Sequence, residues 1–217
     1  MKTSASQNKA ETLFKQSTEL YIARQFPEAI HLCKESLKAN PKFREPYLRL
    51  GVMFGILMRY DEASDYLNRF LRYSLESKNQ IDIARAYNAV GYLYTQKRDV
   101  KEALKYYYLS LDISSTIKKP DEMAVSYNNI ALTHRLDKDY EKARHFYHKA
   151  LEISQSSGRP DRVAYYYFNI AVMFKEQNKY FRAMWYMRKS KKLDKKLKAK
   201  GKSKSQNEKE LRGKGLI

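Results

Sequence analysis

The feature that most narrows the fold of this 217-residue chain is a repeat written in small residues. Ala29, Ala63, Ala103, Ala143 and Ala183 are spaced by 34, 40, 40 and 40 residues, and twelve residues upstream of each stands another small residue: Ser17, Gly51, Gly91, Ala131 and Ala171. Bulky side chains keep the same register. The third unit reads Tyr87, Val90, Gly91, Tyr94, then Ala103, Tyr107, Ser110, and the fourth reads Tyr127, Ile130, Ala131, His134, then Tyr140, Ala143, Tyr147, Ala150. The fifth gives Tyr167, Ile170, Ala171, Phe174, then Tyr180, Ala183, Met187, Ser190. Steps of three, one and three residues put these side chains on one stripe of a helix, and a second stripe follows after a short break. Each unit is therefore a helix, a tight turn and a helix. Two antiparallel helices approach closely only where a side chain is missing, and a large ring from the partner fills the space. Such a hairpin cannot bury its apolar face alone, so successive units must stack.

These are the positions that mark the tetratricopeptide repeat, and the chain resembles that family over roughly residues 10–193. The resemblance implies an all-α fold, a right-handed α-solenoid of about ten antiparallel helices with repeats near 10–43, 44–83, 84–123, 124–163 and 164–193. Residues 1–9 are expected to be disordered, and 194–217 to form a basic, disordered tail. The first unit is the least regular, with Leu13, Gln16, Ser17 and Leu20 in its first helix, but it keeps Phe26, Ala29, Ser36 and a closing Pro41. The second has Phe70 where a small residue is usual, which predicts an outward shift of its second helix. Units two to four carry six extra residues at the passage to the next unit, predicting flanking helices longer by about a turn. Longer repeats of this kind are similar to those of kinesin light chains and bacterial peptide-responsive regulators. Pro120 and Pro160, each followed by Asp, mark helix starts. Leu37, Leu71, Leu111 and Leu151 occupy the position that seals each unit against the next, and Lys191 replaces them in the fifth, which predicts a polar end to the array.

Composition agrees with long helices: only seven glycines and five prolines punctuate the chain. A single cysteine, Cys33, allows no internal disulfide, and the amino terminus lacks the apolar core of a secretory signal. The longest apolar run, Leu50 to Met58, is far short of the ~20 residues a membrane-spanning helix needs. A cytoplasmic chain is expected. No phosphate-cradling glycine loop, nucleophile elbow or acid pair is present, so no enzyme, no cofactor and no metal are expected. His145 and His148 lie three apart but are too few to hold a metal and read as a solvated pair. His134, at a packing position, reads as a buried hydrogen-bonded ring, and Cys33 as a buried, inert thiol.

In the family the first helix of each unit lines a concave face that takes an extended peptide or a helix, which makes an unidentified protein partner the expectation. First-helix residues outside the packing stripe supply the candidate lining: Arg85, Asn88, Tyr92 and Gln96 in unit three, and Asn128, Asn129, Leu132 and Arg135, with Val125, in unit four. Unit five adds Tyr165, Phe168, Asn169, Val172 and Lys175, with Glu176. Asparagines can pair with a bound backbone, and Arg85, Arg135 and Lys175 with a carboxylate. Asn129 and Asn169 match the asparagines of the clamp by which some members hold a chaperone tail, but Val125 and Tyr165 stand where that clamp has basic residues.

Net charge is +19, and from Arg188 onward thirteen Lys or Arg face three acids. The cluster of Lys189, Lys191, Lys192, Lys195, Lys196, Lys198, Lys200, Lys202 and Lys204 has two readings: a solvated end that keeps the array apart from its copies, or a salt-dependent contact with nucleic acid, a ribosome or an anionic membrane. Trp185 and Tyr186 mark a docking or self-association patch.

Overall fold

The computed structural model describes residues 2–199, and among them ten α-helices follow one another with no strand. They are α1 (Lys2–Ile22), α2 (Phe26–Ala39), α3 (Glu45–Ile56), α4 (Tyr60–Glu76), α5 (Gln80–Gln96), α6 (Val100–Thr116), α7 (Pro120–Leu136), α8 (Tyr140–Ser156), α9 (Pro160–Glu176) and α10 (Tyr180–Ala199). Each helix packs on the next, and α3, α5, α7 and α9 also touch in succession. The odd-numbered helices thus form an inner layer and the even-numbered ones an outer layer, the plan of an α-solenoid. The extra residues of the longer units lie inside helices. Each of α4 to α9 runs 17 residues, against 12 for α3 and 14 for α2.

The small residues do the steric work that their spacing implies. A Cβ placed on Gly91 would lie 2.8 Å from two ring carbons of Tyr107, and one on Gly51 would lie 2.5 Å from Leu67 Cγ. The same sixteen-residue offset pairs Ser17 with Cys33, whose Sγ donates to the serine Oγ at 3.2 Å. Ala131 and Tyr147 repeat the offset, both fully buried. Phe70 is 1% exposed and belongs to the core shared by the first three hairpins, so the bulk at that position is absorbed inside.

Helix ends follow one recipe. After eight helices a single residue adopts positive φ, and the next amide reaches back five residues to close the last turn, as Asp139 N–H does to His134 O at 2.9 Å. Glycine fills this position once, at Gly158; elsewhere it is Arg24, Met58, Lys78, Arg98, Lys118, Lys138 or Asn178. Five of those seven are cations, placed where the negative end of a helix dipole favours them. α7 and α9 begin at Pro120 and Pro160, whose missing N–H would have had no helical partner.

The helical layer extends further at both ends than the composition of those segments suggests. Residues 2–9, expected to be disordered, are the first turns of α1, held by contacts with the end of α2: Ser36 Oγ donates to Ala10 O at 2.7 Å, and the Asn40 amide donates to Gln7 Oε1. Residues 194–199, assigned above to the tail, continue α10, with Leu197 6% exposed. Lys200, Lys202 and Lys204 lie outside the described residues.

Candidate ligand groove

The inner layer curves round a cavity of about 560 Å³ that draws on every hairpin. Tyr21, Arg24 and Phe26 come from the first, and Ile56 from α3. Tyr92, Thr95 and Gln96 of α5 are followed by Arg98 of the next turn. Leu132, Arg135 and Leu136 come from α7, and Tyr165, Phe168 and Asn169 from α9. A single cavity reaching from Tyr21 to Phe168 requires the ends of the array to bend toward one face.

Of the candidate lining residues, the structure brings Tyr92, Gln96, Leu132, Arg135, Tyr165, Phe168 and Asn169 together here. Eight others lie elsewhere, among them Val125, 2% exposed, and Glu176, exposed with its carboxylate 3.7 Å from Arg135. Arg85 is spent on Asp82, 3.1 Å away, which also faces Arg44 at 3.3 Å. Val172 is half-buried and Lys175 exposed, both away from the cavity. Asn88, Asn128 and Asn129 are buried in the wall beneath it, between 1% and 3% exposed.

Those asparagines form a ladder. Asn169 Nδ2 donates to Asn128 Oδ1 at 2.8 Å, Asn128 Nδ2 to Asn129 Oδ1 at 3.2 Å, and Asn129 Nδ2 to Asn88 Oδ1 at 3.4 Å. Asn88 Nδ2 then donates to Ser110 Oγ at 2.7 Å and Ser126 Oγ at 3.1 Å. The amides expected to meet a ligand backbone are instead joined to one another across three repeats, which satisfies each in the low-dielectric wall. Only Asn169 also reaches the cavity. A second polar link runs beside the ladder: Thr95 Oγ1 lies 3.1 Å from both Tyr107 Oη and Thr133 Oγ1.

One repeat further on, that link changes. Arg135 and Met173 stand where Thr95 and Thr133 stood forty residues earlier, and the buried Tyr147 hydroxyl has no hydrogen-bond partner. Arg135 Nε is also without one; Glu176 Oε2 approaches it only to 3.7 Å, beyond hydrogen-bond reach. Arg24 and Arg98 enter no ion pair among the described residues, and no Asp or Glu lines the cavity. The groove therefore presents three guanidinium groups above a floor of rings and leucines. Such a surface can hold carboxylates by charge-assisted hydrogen bonds and apolar side chains by burial.

Arg24, Arg98, Tyr21, Phe26, Ile56, Thr95 and Leu136 were not reached by the sequence reasoning. Arg24 and Arg98 share a turn register with Met58, Lys138 and Asn178, the residue two before each second helix, and that recurrence was the signal available.

The remaining candidates fall outside the groove. His134 is 7% exposed and stacks on Phe146 with ring centroids 5.7 Å apart; the expected hydrogen bond is replaced by this ring contact, and burial lowers its pKa. His145 and His148 pack separately, on Phe146 and Tyr186, and burial lowers the pKa of His148. Burial pushes the Cys33 thiol up to about 11. Lys189, Lys191, Lys192, Lys195, Lys196 and Lys198 ride on α10, and Lys189 Nζ sits 3.7 Å from the ring centre of the half-exposed Trp185.

Models of the tetratricopeptide repeat match residues 84–116 and 122–196. The chain is built of tetratricopeptide repeats. Residues 10–83 lie outside both matches, yet α1 to α4 repeat the same hairpins, giving five repeats in a right-handed superhelix. No curated protein matches the sequence. Among solved structures, BtubC (BKLC) from P. vanneervenii is 19% identical, with 90% of each chain covered and a TM-score of 0.62. A Rap protein complexed with Competence and Sporulation Factor is 16% identical with a TM-score of 0.69, covering 88% of this chain and 65% of that one. A signal-transduction ATPase with a tetratricopeptide repeat sensor from Pyrococcus horikoshii is 20% identical with a TM-score of 0.66, and this chain spans 29% of it. At these identities the likeness is one of fold. No described helix is long and apolar enough to cross a membrane.

Proposed function

We propose that this tetratricopeptide-repeat chain is a protein-interaction scaffold whose concave groove holds an extended segment of a partner, with acidic groups on Arg24, Arg98 and Arg135 and apolar side chains against Tyr92, Leu132 and Phe168. The observation that carries this reading is a cavity assembled from all five repeats with three arginines, no lining acid and an arginine Nε left without a hydrogen-bond partner. A Rap protein of the same fold has been solved with a bound factor, which is consistent with a groove used for ligands. Each guanidinium–carboxylate contact contributes about 1.5–3 kcal/mol when desolvated. The segment must therefore meet several of them, and burial of two or three apolar side chains supplies the rest.

A displayed random-peptide library selected on the full chain tests the reading. Enriched sequences should combine acids with large apolar residues, and Arg98→Glu with Arg135→Glu should weaken their binding by a hundred-fold or more, about 3 kcal/mol. Enrichment of neutral or basic peptides, or binding indifferent to both reversals, would dismiss it.

A further inference from the structure

Among the described residues, α10 exposes more large apolar side chains than any other helix. Phe181, the adjacent Met184 and Trp185, Arg188, Lys192 and Lys195 recur at helical spacing, hence on one stripe, and all are exposed. Phe181 is 83% exposed and Met184 52%, and Tyr180 beside them is 59% exposed. On α8 the residues forty positions earlier than Phe181, Met184 and Trp185 are Glu141, Arg144 and His145, as expected of a solvated outer helix. Beyond the apolar turns the same face carries Arg188, Lys191, Lys192, Lys195, Lys196 and Lys198, and the one acid of α10, Asp194, is half-buried. Arg182 flanks the aromatic group on its other side, at the rim of a shallow recess shared with Trp185 and Tyr186. Of the two exposed acids on α8, Glu141 is paired with Arg144 at 2.6 Å, and Glu152 lies beside Met123 and Tyr127 of α7.

An apolar wedge ringed by cations repels a second copy of itself, because stacking two α10 faces would oppose like charges. The surface calls for something both negative and apolar. Phe181, 83% exposed, stands at the edge of that shallow recess, and Met184, 52% exposed, lies outside it, so the occupant must yield to protruding side chains while presenting negative charge across the whole helix face. We propose that the outer face of α10 docks the solenoid onto an anionic lipid bilayer: Phe181, Met184 and Trp185 enter the headgroup region, and the lysines lie along the charged surface. The Lys189 ammonium over the Trp185 ring fits this arrangement, since a lysine stem can follow an indole into the interface while its charge stays at headgroup level. This surface is on the opposite layer from the groove and stands independently of the reading given to it.

Trp185 is the only tryptophan of the chain, so its emission reports on this face alone. The full chain is mixed with vesicles of phosphatidylcholine, or of phosphatidylcholine with phosphatidylserine, and followed by tryptophan emission and co-sedimentation. A blue shift and co-sedimentation with the phosphatidylserine vesicles only, both weakening as salt is raised, are expected. Phe181→Ser with Met184→Ser should abolish the blue shift and weaken partitioning by about ten-fold or more. Lys191→Glu with Lys195→Glu should weaken it by at least about 25-fold, roughly five-fold for each lysine lost. All four side chains are exposed, so neither variant disturbs the core. No shift on anionic vesicles at low salt overturns the proposal, as does binding that survives loss of the apolar pair unchanged. Quenching by single-stranded RNA in place of the lipid response would assign the face to nucleic acid, and a concentration-dependent shift without lipid to a second copy; either result also overturns it.

Discussion

Adding one methyl group at Gly91 should destabilise the protein, although glycine-to-alanine changes in helices ordinarily stabilise it by about 1 kcal/mol. The new Cβ would sit 2.8 Å from Cδ1 and Cε1 of Tyr107 and 3.1 Å from Cζ. Carbon atoms pack best at about 3.5–4.0 Å, so the ring would have to retreat by roughly 0.7 Å or more. It has nowhere to go: Tyr107 is fully buried among Ala103 and Ile130, and its hydroxyl lies 3.1 Å from Thr95 Oγ1. Overpacking of this kind costs about 1–3 kcal/mol and a disturbed buried hydrogen bond about 1 kcal/mol more, against the ~1 kcal/mol gained from helix propensity. Gly91→Ala should therefore lose about 1–3 kcal/mol. Gly55 provides the opposite sign, because its Cβ would meet only Leu93 Cδ1 at 3.9 Å, and Gly55→Ala should gain about 0.5–1 kcal/mol. Thermal and urea unfolding followed by circular dichroism measures both, at about 2–4 °C per kcal/mol for a chain of this size. Equal or greater stability of the Gly91 variant, or equal losses at both glycines, would refute the close-approach account of the repeat.

Asn88→Ala takes the acceptor from the Asn129 amide in a buried wall, while Ser110 and Ser126 keep Ala84 O, Glu122 O and each other, and should cost about 1–3 kcal/mol, with amide exchange quickening in α5 to α7 before α1 to α3. A pH dependence follows from His134 and His148, whose folded pKa values burial lowers below the ordinary 6.5. As pH falls through about 6.5 the unfolded chain takes up protons that the folded chain refuses, so stability present above that pH declines until the lowered folded values are reached. His134→Phe, which keeps the stack on Phe146, should flatten that decline in urea titrations between neutral and mildly acidic pH.

The fold was legible because its cause is local and repeated. A missing side chain at Gly51, Gly91 or Ala131 and a bulky one sixteen residues later state a helix crossing without reference to the rest of the chain. The groove was legible in part for the same reason: Tyr92, Leu132, Arg135 and Phe168 lie off the packing stripe of their helices and do face the cavity. A single-helix pattern cannot separate a position facing the groove from one facing the neighbouring first helix, and Asn88, Asn128 and Asn129 fall on the second side of that line. Arg24 and Arg98 escaped because they sit in turns, where left-handed backbone aims the side chain and helical periodicity says nothing. The ends of the solenoid escaped because composition reports solubility, whereas Ser36 bound to Ala10 O and the buried Leu197 are contacts made only once the hairpins have formed.

The claim on which the functional account rests is that the inner layer holds the ligand, and site-specific photo-cross-linking tests it most directly. A photoreactive phenylalanine analogue replaces either Phe168, 37% exposed at the groove, or Tyr108, 45% exposed on α6 of the outer layer. With an acidic, apolar peptide selected on the full chain, cross-linking should occur at position 168, disappear in the Arg98→Glu, Arg135→Glu background, and be absent at position 108. Cross-linking at 108, or equally at both positions, would contradict the account.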